Sequence, residues 1–426
     1  MKTKLTTFVA LVTITFSYAQ SGHLMQGVGA VNMSMGGAAT AQPLDIDGAL
    51  NWNPATISVF EGKIISVNAG LFMANPELSS KVPFGGGISG TSTDVKKNSI
   101  LPAVAFVYGK KDSKHTFGVS AYGISGFGVD FPESTTNPIN FPQAMGGFGN
   151  LTSNYNLLQA GISYAYKISK KVSIGITPNF NFATLELKPN PTASPNMAGY
   201  PETNNATATG FGGQIGIFYQ NEKGFKLGAS YKTEQKFSDF KFQNTYLDNS
   251  TSENSFKMNF PAIISAGIGY SAGKFDLAFD FRNVEYSKTE GFNEYGWNPT
   301  GSVKGFGWRD MQILSMGIQY KGVNKLPIRL GYTFNTNPIK NELAFFSTAA
   351  TAVVQNAFQL GFGYEFSEKI TINGVYHMAY SNDDTKGPLY NPMLASGSNP
   401  LGAVPDSQVS YKMETSLIML GLSYKL

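Results

Sequence analysis

The sequence predicts an all-β fold: a 14-stranded antiparallel transmembrane β-barrel with an N-terminal plug, or hatch, in its lumen. Three observations predict the barrel. Seven long polar connections alternate with six short turns along the chain. A soluble sandwich has no reason to gather its long connections at one end, whereas an outer membrane barrel puts long loops outside and tight turns in the periplasm. The segments between them alternate in hydropathy. Phe358, Leu360, Phe362, Tyr364 and Phe366 share one parity, and Ala357, Gln359, Gly361, Gly363 and Glu365 the other. One face suits lipid and the other a wet lumen. Third, of 426 residues 42% are hydrophobic but only 14% are charged, against about 25% in soluble domains.

Residues 1–19 read as a secretory signal peptide. Lys2 and Lys4 supply the charge, Phe8 to Phe16 a short apolar core, and Ser17-Tyr18-Ala19 a small-x-small cleavage site before Gln20. The apolar run is too short to span a bilayer, and no other segment approaches the roughly 20 apolar residues of a membrane helix. The absence of Cys excludes disulfides, a lipidated N-terminal Cys and thiol chemistry.

Residues 20–60 do not alternate. Gly27, Gly29, Gly36 and Gly37 sit among Ala and Met, followed by Asp45, Asp47 and Asn53-Pro54-Ala55. The segment is too apolar for a disordered tail, and a barrel this wide needs filling or leaves a channel. The expected organisation is signal peptide 1–19, hatch 20–60 and barrel 61–426. Asp45 and Asp47 read as turn and capping residues, and Asn-Pro starts a turn.

Fourteen strands follow, at 62–74, 98–109, 115–128, 153–167, 171–187, 208–220, 224–235, 255–270, 274–287, 308–321, 325–336, 356–366, 369–381 and 411–426. The short turns between them are rich in Lys, Gly, Asn and Ser. The third strand carries Gly118, Gly123, Gly126 and Gly128 before Pro132. Glycine inside a strand marks a bulge or bend, which puts a kink near Gly123-Ile124-Ser125-Gly126. The three Arg of the chain, Arg282, Arg309 and Arg329, all fall on the inward parity. They either pair with lumenal carboxylates or receive a substrate carboxylate. The last strand ends with Gly421, Tyr424 and Leu426 at the spacing of a barrel-insertion signal, and its closure leaves no free edge.

The run Met35-Gly36-Gly37-Ala38, then Asp45, Asp47 and Asn53-Pro54-Ala55, resembles the hatch of the FadL-type outer membrane transporters of long-chain fatty acids and other hydrophobic compounds (OMPP1/FadL/TodX). Asn259-Phe260-Pro261-Ala262-Ile263 and Gly307-Trp308-Arg309-Asp310 resemble the openings of that family's strands 8 and 10. The resemblance implies passive uptake of a long-chain fatty acid or other hydrophobic small molecule, with lateral release through a kink in strand 3, and makes Asn53-Pro54-Ala55 a hatch tip that moves or lines the pocket rather than only a chain reversal. It implies a monomer in the outer membrane of a Gram-negative bacterium, with membrane lipids and the barrel assembly machinery as partners. Strand 5 ends Phe182-Ala183-Thr184-Leu185-Glu186 without the basic residue the family uses for a carboxylate, so neutral compounds stand beside fatty acids. The alternative is a structural or adhesive barrel without transport.

No catalytic residue, metal site or cofactor is expected. His23, His115 and His377 lack metal-site spacing, and neither a Gly-x-Ser-x-Gly elbow nor a phosphate loop occurs. Asp383-Asp384 reads as a solvated pair rather than a Ca²⁺ site. Basic residues form no stripe for nucleic acid.

Overall fold

The computed structural model describes residues 22–96 and 98–426; the segment read as a signal peptide lies outside them. Among the described residues, fourteen antiparallel strands close into one barrel. They are β1 Gly62–Val82, β2 Ser99–Gly109, β3 His115–Phe131, β4 Leu151–Lys167, β5 Val172–Lys188, β6 Ala206–Gln220 and β7 Phe225–Lys232. The second half comprises β8 Ile263–Ala272, β9 Phe275–Val284, β10 Met311–Tyr320, β11 Ile328–Asn335, β12 Asn356–Glu365, β13 Ile370–Tyr380 and β14 Gln408–Lys425. Each strand pairs with its sequence neighbours, and β14 closes on β1 from Ile64↔Lys425 to Lys81↔Gln408.

Alternation sets the two faces of this wall. Phe358, Leu360, Phe362 and Tyr364 of β12 are exposed, while Ala357 and Gln359 are buried. In β9 Phe275, Leu277, Phe279 and Phe281 point outward, and Asp276, Ala278, Asp280 and Arg282 inward. Aromatic and aliphatic side chains thus form the belt that meets hydrocarbon, and polar groups are kept from it.

Three features depart from the sequence reading. The segment 255–270 is not one strand. Thr251–Phe256 pairs with Phe240–Thr245, which also pairs with Glu202–Thr203, in a separate three-stranded sheet at the loop end. Pro261 has no N–H to give a ladder, and the barrel strand starts after it, at Ile263. Second, β1 runs on beyond the wall to Val82 and folds back through Ile88–Thr93. Third, Arg309 does not face the lumen. It precedes β10, is exposed, and its Nε donates to the Asn337 carbonyl at 3.0 Å. Parity holds only where the ladder runs, and the ladder begins at Met311.

The lumen is filled by the N-terminal segment. Gly29–Ser34 forms α1, Ile46–Trp52 forms α2, and Pro54–Val59 a 3₁₀ turn. Both helices are buried throughout.

An outward charge tests the belt. Leu360→Arg, near the middle of β12, should cost about 2–4 kcal/mol. Urea unfolding in phospholipid vesicles, followed by tryptophan fluorescence, measures it. An unchanged midpoint would mean that this face does not meet lipid.

Candidate functional site

The plug is fastened to the wall at several places, three of them at residues that stand out in the sequence. The first is the Gly36–Thr40 turn. Arg282 Nη2 donates to Asp280 Oδ2 at 2.6 Å and to the Gly37 carbonyl at 2.8 Å, and Nη1 to Ser315 Oγ at 3.2 Å. Asp280 Oδ2 in turn accepts from the backbone N–H groups of Ala39 (2.8 Å) and Thr40 (2.9 Å). The guanidinium lies 3.7 Å from the centre of the Trp52 ring. Gly36 and Gly37 both adopt positive φ, and a Cβ on Gly37 would lie 1.8 Å from the Gln26 carbonyl oxygen. No side chain fits there.

The second is α2. Asp45 caps its N-terminus, accepting from the Gly48 N–H. Asp47 Oδ2 accepts from Ser66 Oγ and, at 3.1 Å, from Asn68 Nδ2 on β1. Burial raises the Asp47 carboxyl to about 6, and these hydrogen bonds pull against it. The third is Asn53-Pro54-Ala55. Asn53 Nδ2 donates to the carbonyls of Thr40 (2.8 Å) and Ile217 (3.0 Å), and its Oδ1 accepts from the Ala55 N–H. These residues lie against the wall; they line neither of the cavities described next.

The wall has a break. β2 and β3 pair from Gly109↔Thr116 up to Ala103↔Tyr122. Beyond that point Ser99–Pro102 pairs with β1, while the rest of β3 pairs with β4. At the same place β3 shifts register against β4, between Gly123 and Ser125. Ile124 is the extra residue, and both Ile124 and Ser125 are buried. One inserted residue inverts the faces of everything after it. Before the bulge Thr116, Gly118, Ser120 and Tyr122 are the inward set; after it Phe127, Val129 and Phe131 are. Gly126 and Gly128 therefore turn outward.

The start of the plug takes up the hydrogen bonds β2 leaves. Met25 N–H donates to the Ile124 carbonyl (2.9 Å), and Gly126 N–H to the His23 carbonyl (3.0 Å). Ser125 Oγ donates to the same His23 carbonyl at 2.8 Å. The His23 ring stacks on Phe292 at 5.0 Å, among Tyr155, Phe260, Tyr286 and Trp308. Burial lowers its pKa to about 3, so the ring is neutral, and its Nδ1 lies 2.7 Å from the Tyr286 hydroxyl.

Two small cavities meet at this break. One, of about 50 Å³, lies at the opening itself and is lined by Met25, Phe72, Leu101, Gly126, Phe127 and Tyr155 among others. Lys96 crosses its rim over Gly128, donating to the Ser153 carbonyl (2.9 Å) and Asn154 Oδ1 (3.0 Å). Asp94 beside it is pushed up to about 6 by burial, against hydrogen bonds from the Asp130 and Lys96 N–H groups. The other cavity, of about 40 Å³, lies toward the loops among Phe127, Phe148, Leu185, Leu187, Phe306 and Phe345. Among the described residues its lining holds two threonines, Thr192 and Thr348, and no charged residue.

The remaining cations are engaged elsewhere. Arg329 donates to Gln319 Oε1 (2.6 Å) and Asn373 Oδ1 (3.2 Å) toward the periplasmic turns. Buried Lys232 donates to Gln159 Oε1 at 3.0 Å. The sequence pointed to neither Phe127 nor Lys96. Phe127 carried a signal in its two flanking glycines; Lys96 sits in a loop with no pattern of its own. Among the described residues no group of three or more His, Asp or Glu is placed to hold a metal ion.

A closed barrel with an apolar belt, a filled lumen and a break in its wall has the architecture of an outer membrane transport barrel rather than of an open porin. The chain belongs to the outer membrane protein transport family (OMPP1/FadL/TodX), whose profile matches residues 11–424. Its fold is similar to that of the Pseudomonas putida toluene transporter TodX (TM-score 0.69, 15% identity, 94% of this chain and 99% of that one). A Pseudomonas aeruginosa FadL homologue is similar too (TM-score 0.73, 13% identity, 95% and 100%). So is the Ralstonia pickettii toluene transporter TbuX (TM-score 0.63, 17% identity, 94% and 99%). No curated protein matches the sequence.

The Arg282–Asp280 pair can be tested directly. Arg282→Met leaves Asp280 buried beside a neutral chain and should cost about 3–5 kcal/mol. Hydrogen exchange should rise at residues 36–42 before it rises in the strands. Adding Asp280→Leu should recover part of the loss; equal exchange in both variants would show that the pair does not hold the plug.

Proposed function

We propose that this chain carries small, neutral, hydrophobic compounds across the outer membrane, passively, and releases them sideways through the break beside β3. The observation that carries the reading is the uncharged cavity at the loop end, set next to a mixed one at the break. Among the described residues, a carboxylate entering the loop-end cavity would find no cation in its lining. Arg282 is spent on Asp280 and the plug, and Arg329 on Gln319 and Asn373. Neutral hydrocarbons therefore fit better than fatty acids. The toluene transporters of like fold are in keeping with this. Lateral exit suits such cargo, since each methylene moved from water to lipid gains roughly 0.8 kcal/mol.

Uptake by whole cells tests the reading. Cells making the chain should accumulate labelled toluene faster than cells lacking it, with little gain for labelled oleate. Gly123→Leu should abolish most of the toluene gain without preventing barrel assembly. A Cβ at Gly123 meets nothing closer than 3.5 Å, so the added side chain packs against Leu101 and Pro102, at the edge of the opening, without displacing the backbone. Gly126 is a poorer probe, because its Cβ would lie 2.9 Å from the Tyr155 carbonyl oxygen. Full uptake in Gly123→Leu would rule out the lateral route. No gain for either compound in the unaltered chain would favour a barrel that presents its loops to other surfaces.

A further inference from the structure

We propose that the Phe127 ring is the gate between the loop-end cavity and the wall opening, and that it sets the width of the cargo. The inference rests on the lateral-exit reading above. Among the described residues, Phe127 is the one that lines both cavities. Each cavity, at about 40 and 50 Å³, is smaller than the roughly 150 Å³ that accommodates benzene. A guest cannot pass from one to the other while the ring stays where it is.

The ring's position follows from the bulge. With uninterrupted alternation Phe127 would share the outward face of Phe117 and Val119, both exposed. The extra residue at Ile124 turns it inward, where it is 7% exposed. It stacks on Tyr155 (centroids 5.0 Å apart, planes at 27°) and meets Phe306 edge-on (6.0 Å, 79°). These contacts hold the ring closed, and each is an interaction that a flat or apolar guest can replace. Gly126 and Gly128 on either side carry no side chain, so the Lys96 amine lying over Gly128 is what a rotamer change toward the opening would have to pass. Slim guests need a modest swing of the ring; branched or fused-ring guests need a larger one.

The absence of Cys makes the test clean. Thr348→Cys puts a single thiol in the loop-end cavity. The full barrel is placed in phospholipid vesicles and labelled with N-pyrenylmaleimide dissolved in the lipid, or with a charged, water-soluble maleimide added outside. Breaking two aromatic contacts should matter strongly, so Phe127→Ala should speed lipid-side labelling by at least about tenfold. Phe127→Trp should slow it. The water-soluble reagent should react alike in all three. Unchanged pyrene labelling in Phe127→Ala would overturn the gate, as would equal acceleration of both reagents, which would signal general loosening. Adding Gly123→Leu separates the two claims. If it slows lipid-side labelling while Phe127→Ala does not speed it, lateral exit stands and the gate fails. If Phe127→Ala speeds labelling and Gly123→Leu leaves that gain intact, the ring gates a passage but the wall is not its exit.

Discussion

The Arg282–Asp280 pair is the interaction on which the lumen depends. Both side chains are 1% exposed, so neither charge has water to fall back on. Desolvation of this kind is repaid only when geometry is good and the remaining polar atoms find partners. Here the plug supplies several of them: two backbone N–H groups for the carboxylate and one carbonyl for the guanidinium. The Trp52 ring covers the cation from the other helix. Without the plug the pair would lose these three partners, and without the pair the plug turn would lose partners for two N–H groups and one carbonyl. Arg282, which the sequence leaves between a lumenal carboxylate partner and a substrate receptor, is thus a structural tie.

The second constraint is the single extra residue in β3. It ends pairing with β2, turns Phe127, Val129 and Phe131 into the lumen, and leaves Gly126 and Gly128 outside. The same bulge frees the backbone groups that His23 and Met25 use. One insertion therefore opens the wall, lines the interior with aromatic rings and docks the start of the plug. These consequences are coupled, because all of them follow from one change of register.

Much of this was legible in the sequence. Alternation in segments such as 356–366 gave the strands and their faces, since the lipid boundary enforces a period of two. Glycine density marked the kinked strand. What was hidden lay where that period stops. The direction of the Phe127 side chain was unreadable, because Phe117, Val119 and Phe127 share one parity and only the bulge separates them. Arg309 misled for the related reason that its parity was extrapolated past the end of a ladder. The loop-end sheet was merged with β8 because Thr251–Phe256 and Ile263–Ala272 alternate alike, with Pro261 the boundary between them.

The plug's fit to the wall bears on the route. Where it touches the strands, the wall residue is often glycine, and backbones approach to distances no side chain permits. A Cβ on Gly228 would fall 1.9 Å from the Thr40 carbonyl oxygen, one on Gly175 2.4 Å from Ala55 N, and one on Gly331 2.2 Å from Gly36 N. These contacts lie on three different strands, β5, β7 and β11. Displacing the plug as a body would break all of them together with the Arg282–Asp280 tie. The contacts at the β3 break are fewer: a few hydrogen bonds from His23 and Met25, and side chains that can rotate. Between a motion that undoes the whole lumen and one that moves a few groups, the smaller is the cheaper. This argues for a path along the wall and out beside β3, with the plug left in place.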